Sequence, residues 1–547
     1  MVAHCKGTKN CFMLRGLPLL FAMTSGWIAA EETDASGTLE TVIVTASRTD
    51  QIADRLPSAW VALSEETISR VAAQHSNQLF NRVSGAWVSR GNGQESLISL
   101  RSPVLTGAGS CGAFITAQDG ISLRAPGFCN VNQLFDANLL QAGAVEVLKG
   151  PAAVVFGSNA LHGIINVITR PVAATPNQLS VEAGSRDYYR LSASGATQTV
   201  AVSAQTSRYG GYQADSGYTQ HKATVRLDNE WNDWLIDGAL EASELDQETA
   251  GYIEGYEAYK DKDASKENPN PEAYRDAWSA RGHLGFSRSW SEDTEVTIRP
   301  YWRSNAMTFL QHFVPWKPTE ENRHRSVGIQ TSAKISRDDL RWLVGADFDQ
   351  TTGKLVETQA VFFSPNQPDG THYDYEVDAQ TAASFVHLNW ALKPQWSLDA
   401  GLRLEETRYD YSNRTEDGAA CAPSASACRF YRPASRKDSF GDWTGNVALS
   451  HHTDTTTLYG RFARGFRVPQ ANELYRLQSG QTVAEIDTET GDSMELGLRY
   501  RFSNFSYDLA AYWMTKRDVI FQDRDRYNVS GAKTTHRGIE EIGRAHV

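Results

Sequence analysis

The 547-residue sequence predicts a large antiparallel transmembrane β-barrel behind a compact N-terminal α+β domain, and three observations predict it. First, the chain is polar overall, with a mean hydropathy of −0.44 and 41% apolar residues. It lacks the repeated apolar runs of about 20 residues that a polytopic helical membrane protein requires. Second, beyond Pro171 and Pro176 long segments alternate apolar and polar residues with period two, the pattern of a strand with one lipid-facing side. Third, tight turns alternate with long polar loops, and 14 Trp and 21 Tyr supply the aromatic residues that gather at membrane interfaces. In lipid an open strand edge is untenable, so such a sheet must close. The net charge of −12 argues against a basic nucleic-acid-binding surface. A soluble antiparallel protein of the propeller or β-helix kind is the alternative reading, although no blade-like repeat is present.

The elements follow in order. Residues 1–30 read as a secretory signal peptide: Lys6, Lys9 and Arg15 precede an apolar run over 17–30, and Glu31 and Glu32 follow. Met13 is a candidate start, and a buried or anchoring helix is the alternative. Residues 31–55 form a linker. It carries a short β-branched run, Thr41, Val42, Ile43, Val44, Thr45 and Ala46, which seeks a sheet edge on another chain or opens the next domain as its first strand.

Residues 56–175 read as one mixed domain. Ser64 is a candidate helix N-cap with Glu65 and Glu66 in the first turn. Strand-like runs follow at 96–100, 113–117, 121–123 and 144–148. The domain closes with Gly150 and Pro151, then Gly157, Ser158, Asn159 and Ala160, then the β-rich run 164–169.

Residues 176–547 hold about 16 strands, expected to span about 10 to 14 residues each. In one, Trp396, Leu398, Ala400, Leu402 and Leu404 alternate with Ser397, Asp399, Gly401, Arg403 and Glu405. Val386, Leu388 and Trp390 lie just upstream, with Lys393 and Pro394 as the turn between. Long loops are expected at 247–275, 305–321, 353–375, 410–439 and 465–490.

Cys5 and Cys11 fall in the leader. Cys111, Cys129, Cys421 and Cys428 remain, and their short separations favour two local disulfides, Cys111–Cys129 and Cys421–Cys428. Free buried thiols are the alternative; the spacing does not fit zinc. No GxSxG, HExxH or P-loop motif occurs, so the chain is not expected to be an enzyme, and no cofactor is implied.

Several segments together resemble the TonB-dependent outer-membrane receptor family. The run 41–46 looks like its TonB box. The sequence from Val145 through Glu146, Lys149, Gly150 and Pro151, then Gly157, Ser158, Asn159, Gly163 and Asn166, is very close to the family's plug signature. The segment 459–475, containing Arg464, Arg467, Glu473 and Tyr475, is similar to a recurrent barrel strand-and-loop motif, where loop packing is favoured over ligand contact. The resemblance implies a 22-stranded barrel occluded by an N-terminal plug, of which about 16 strands are read here. The final strands and the terminal aromatic residue are expected to be missing, so that this chain alone would not close a barrel.

It further implies energy-dependent uptake across the Gram-negative outer membrane, with TonB and a small metal chelate as partners besides lipid. A ferric siderophore is the first expectation, haem or cobalamin the next, and a passive porin or surface-binding barrel the alternative. Plug–barrel ion pairs are expected from Arg101, Arg124, Glu146 and Lys149. Substrate contact is expected in a pinned plug loop through Phe114, Gln118, Asp119, Arg124 and Phe128. Loop aromatics (Tyr252, Tyr256, Tyr259, Phe309, Phe313, Trp316, Phe362, Phe363 and Tyr373) are candidates for stacking on the ligand, and His312, His324 and His372 for haem iron.

Overall fold

The computed structural model describes residues 43–44, 51–52, 55–103, 113–125, 127–128, 133–502 and 505–545. Residues 1–30, expected as a signal peptide, Cys111, Cys129 and most of the run 41–46 lie outside the described residues. Of that run, Ile43–Val44 pairs antiparallel with Gln51–Ile52.

The N-terminal domain starts with the strand Trp60–Ser64. The Ser64 hydroxyl then accepts from the Thr67 amide at 3.3 Å and caps the helix Glu65–Val71, with Glu65 and Glu66 beside its exposed N–H groups. A second short helix, Ser76–Phe80, is capped by the His75 imidazole, and Gln78 returns a bond to the His75 amide.

A five-stranded sheet runs in the order Trp60–Ser64, Ala142–Lys149, Gly163–Thr169, Phe114–Gln118, Ile121–Ser122. Gly163–Thr169 and Phe114–Gln118 are its parallel pair. The two central strands are apolar almost throughout because both faces are covered. Val145, Val147, Ile165 and Val167 join Ile68, Leu79 and Phe80 in one core cluster.

The second sheet has 16 strands, each antiparallel to the next in chain order, from Gln178–Gly184 to Asn528–Ala545. Its faces invert the arrangement of a soluble sheet. On Trp396–Asn413, Leu402 and Leu404 are exposed, whereas Arg403 and Glu405 are buried and bonded at 2.8 Å. Apolar side chains therefore face outward and charged ones inward, as lipid outside and protein inside require.

The sheet curls round the N-terminal domain, which contacts it from early strands to the last. The Asn138 amide donates to Ala223 O, Arg303 to Ser122 O, the Ser158 amide to Glu405, and Arg101 to Glu540.

The strands are longer than the 10 to 14 residues expected, reaching 24 in Gly370–Lys393, although Gln178–Gly184 has 7. The loops read at 305–321 and 353–375 shrink to 311–318 and 360–369. The reason is that pairing continues past the apolar belt into segments polar on both faces, such as Glu320 to Arg325, where lipid no longer enforces the alternation. The tight turns fall at one end of the sheet. At that end Asn232 and Asp233 both take positive φ, 47° and 65°, which suits the right-handed twist of the flanking strands. The other end carries the long connections 249–273, 311–318, 360–369, 414–435 and 468–488.

Candidate functional site

Two regions matter: the seam that holds the plug in the barrel, and a cavity above it at the long-loop end. The seam is built largely from the signature residues. Gly163 has φ +138°, and a Cβ there would lie 2.1 Å from Leu148 O, so only glycine lets the two central strands approach. Gly157 has φ +81°, and a Cβ there would strike Glu405 Oε2 at 2.0 Å. That close approach lets the Ser158 amide bond the same carboxylate at 3.1 Å. The Ser158 hydroxyl accepts from the Val468 amide, the Asn159 amide donates to Phe466 O, and Arg461 donates to Pro151 O. Asn166 accepts from the Gly120 amide inside the plug. Glu146 is buried mid-sheet opposite Ala62 and Asn166.

An ionic cluster completes the seam. Arg101 bonds Glu495 at 2.6 Å and both oxygens of Glu540 at 2.8 and 3.0 Å, and its guanidinium lies over Tyr512. Lys149 reaches Glu540 at 2.5 Å. Burial lowers the Lys149 pKa, Glu540 opposes that, and the nearby Arg101 charge adds to it. Arg101 is the opposite case: burial disfavours its charge, but Glu495 and Glu540 outweigh burial and raise its pKa. Arg124 requires a correction, since its carboxylate partner is Asp136 of the plug itself, at 3.3 Å. The barrel group it meets is the His324 ring at 3.5 Å, not a carboxylate. The tight turn at Asp119 and Gly120 folds the chain back, so that Arg124 lies under the cavity and away from Glu495 and Glu540.

The cavity, of about 1180 Å³, has Arg124, Gly127 and Phe128 of the plug in its floor and strand ends and long loops as its walls. Phe128 packs against His324 and Tyr409, with ring centroids 5.1 and 6.4 Å away. Two ion-pair systems frame it: Glu95 of the plug with Arg275 at 2.7 Å, and Arg476 with Glu320 at 2.8 Å and with Glu357. Burial alone would lower the Arg476 pKa, but Glu357 and Glu320 override it and raise it. Glu357 also holds His372 Nδ1 at 3.0 Å.

Of the five plug residues expected to touch substrate, Arg124 and Phe128 line this cavity. The other three do not, and the expectation is corrected. Phe114 packs in the plug core. Gln118 and Asp119 bond Thr169 at the far end of the parallel pair, and Gln118 also takes a bond from Arg281. Because Phe114–Gln118 runs alongside Gly163–Thr169, its C-terminal end points toward the tight-turn side. Among the loop aromatics, Tyr252, Tyr259, Phe309, Phe313, Trp316 and Tyr373 line the cavity, as do His312 and His324. His372 is buried behind its wall, stacked on Phe430 at 3.6 Å.

Arg467, Glu473 and Glu489 form a buried network with Lys516 behind the loop 468–488, Tyr475 stacks on Tyr411, and Arg464 sits over Trp443. The disulfide Cys421–Cys428 is formed in the loop 414–435. Sequence reasoning missed Glu95, Arg275, Glu320, Glu357 and Arg476. Nothing in their spacing separates them from the other inward charges, because their neighbours are set only when the sheet curls.

Such an arrangement defines a class: an outer-membrane β-barrel occluded by its own N-terminal domain, with a ligand-sized chamber on the loop side. Two family models match, "TonB-dependent Receptor Plug Domain" over residues 53–164 and "TonB dependent receptor-like, beta-barrel" over residues 174–540. The chain belongs to the TonB-dependent receptor family. It is therefore a transport protein of the Gram-negative outer membrane, not an enzyme.

Among curated proteins it is 23% identical over 491 residues to the vitamin B12 transporter BtuB of Vibrio cholerae, covering 86% of this chain and 70% of that one. Its counterpart from Vibrio vulnificus is 21% identical over 505 residues, covering 88% and 71%. Among solved structures, the ferric yersiniabactin uptake receptor FyuA from Yersinia pestis aligns with TM-score 0.69 at 18% identity, covering 89% of this chain and 76% of that one. The unliganded ferric citrate transporter FecA aligns with TM-score 0.72 at 15% identity, covering 93% and 78%.

Proposed function

We propose that the protein captures a small metal chelate in the loop-side cavity and imports it with energy delivered by TonB, a ferric siderophore being the first reading. The observation that carries this is the chamber of about 1180 Å³ whose floor is the plug and whose walls mix aromatic and charged side chains. A chelate is a body of that size, with planar or apolar faces and charged edges. Occupancy at Arg124 and Phe128 touches the same domain that carries the segment 41–46, so binding outside and signalling below are linked through one body. Such coupling is reciprocal. In this reading Val42 and Val44 offer backbone groups to a TonB sheet edge. Cobalamin is the second reading, favoured because the Vibrio relatives are vitamin B12 transporters.

The test compares uptake of radiolabelled ferric siderophores and cyanocobalamin by cells with and without the gene, before and after the proton gradient is collapsed. Gene-dependent accumulation that stops with the gradient, and stops equally in Val44→Pro while surface binding persists, is the expected result, because proline removes a backbone donor. Accumulation that continues without the gradient would mean a passive pore.

A further inference from the structure

The loop 414–435 contributes Arg429 and Phe430 to the cavity wall and is held at several points. The disulfide Cys421–Cys428 closes it, with a Cα–Cα separation of 5.6 Å. Inside it Gly418–Ala419 pairs with Tyr431–Arg432, and the Ala420 amide donates to Phe430 O at 3.0 Å. It is tied to two neighbouring loops as well. The Arg429 amide donates to Asn366 O at 3.0 Å, the Tyr431 amide to Leu477 O at 2.9 Å, and the Ser479 amide to Cys428 O at 3.2 Å. Phe430 is buried and stacked on His372. Arg429 is thus fixed between two anchored neighbours, Cys428 and Phe430, and its side chain enters the cavity wall half-buried. Its guanidinium carbon stands 4.5 Å from the centroid of Trp316, which also lines the cavity.

The other cavity cations are mostly engaged: Arg275 by Glu95, Arg476 by Glu320 and Glu357, Arg124 by Asp136, and Lys354 by Asp374 at 3.6 Å. Among the described residues no carboxylate forms an ion pair with Arg429. The same holds for Arg90, which belongs to the exposed rim of the plug. Stacking on an indole occupies the face of a guanidinium and leaves its in-plane N–H donors for a planar anion. An aromatic wall beside them lowers the local dielectric and strengthens that bond.

We propose that Arg429, held over Trp316 by the Cys421–Cys428 loop, is the residue that sets the charge class of the ligand by receiving an anionic oxygen of the chelate. The proposal rests on the reading of this cavity as the chelate site. The ligand is then a metal chelate presenting a carboxylate or other oxyanion next to an apolar or planar face, and neutral chelates are poor ligands. The disulfide is a positioning device, one of several ties that hold Arg429 over Trp316.

The experiment measures surface binding on cells treated with an uncoupler, so that uptake does not contribute, with gene-deleted cells as background and surface level checked by antibody. The probes are ferric citrate and the ferric complex of 2,3-dihydroxybenzoate, both anionic, with ferrichrome and ferrioxamine B as chelates that carry no net negative charge and no free oxyanion. Expected is preferential binding of at least one anionic probe, weakened about tenfold or more in Arg429→Gln, the usual scale for a lost charge-assisted bond. Arg429→Lys, which keeps the charge but not the planar fork, should fall between. The paired Cys421→Ser and Cys428→Ser variant should lose part of that binding, and native binding in it would overturn the positioning role of the disulfide; if it fails to reach the surface, Arg429→Gln and Arg429→Lys decide alone.

Anionic binding unchanged in Arg429→Gln overturns the proposal, and so does preference for ferrichrome or ferrioxamine B, while both leave the chelate reading standing. Failure of all four probes to bind in a gene-dependent way sinks the chelate reading and the proposal with it.

Discussion

Arg101 shows how one residue can hold a domain in place. It has positive φ, 49°, and all three of its guanidinium nitrogens bond two carboxylates of the barrel wall. Removing one partner of such a buried set leaves uncompensated charge and costs about 3–5 kcal/mol. Arg101→Met is therefore expected to loosen the plug without altering the barrel: in planar bilayers its conductance should rise at a lower urea concentration than for the native protein. Restoration by also replacing Glu495 with Gln would identify the stranded carboxylate as the cause, since Glu540 keeps Lys149, and an unchanged urea dependence would remove the role given to Arg101. That Arg101 and Lys149 matter was legible through the family resemblance, but their partners were not. Glu495 and Glu540 lie 394 and 439 positions downstream of Arg101, and no local pattern links them. Cys421 and Cys428 lie 7 apart, so chain separation alone suggested their bond.

At the scale of elements, the alternation of side chains carried most of the information. The long strands were legible where lipid forces one face to be apolar, and their ends were lost where it does not. The plug strands Ala142–Lys149 and Gly163–Thr169 were legible for another reason, being continuous β-branched runs. Their junction depends on Gly163, whose backbone lies in a region that L side chains rarely adopt and whose Cβ position is taken by Leu148 O. Strain of that kind costs about 1–3 kcal/mol before the clash is added. Gly163→Ala should thus separate the central pair of the plug sheet while the 16-stranded sheet persists. Limited proteolysis of the purified protein should cut within residues 56–170 and leave a protected barrel fragment. Equal resistance of plug and barrel in this variant would mean that the strand junction tolerates a side chain.

The molecule as a whole is organised by two solvents, lipid outside the sheet and a protein-filled lumen within. Leu402 and its cross-strand partner Val386 belong to the outer face, and Arg403 beside them belongs to the inner one. Leu402 lies well inside its strand, which begins at Trp396, whereas Leu392 lies next to the tight turn, one residue from the end of Gly370–Lys393. If the outer face meets hydrocarbon, the cost of a charge must depend on depth, about 2–4 kcal/mol at the midplane and about 0–1 near the interface. Leu402→Arg should accordingly lower the yield of heat-resistant, folded protein in the outer-membrane fraction and lower its unfolding midpoint in guanidinium. Leu392→Arg should leave both near native values. A soluble sheet makes the opposite demand: Leu402 is already 43% exposed, so arginine there would be neutral or would improve solubility. Equal behaviour of the two variants would contradict the membrane depth assigned to Leu402. A selective loss at Leu402 would fix the level of the bilayer on the sheet and place the cavity at the long-loop end, on the outer side.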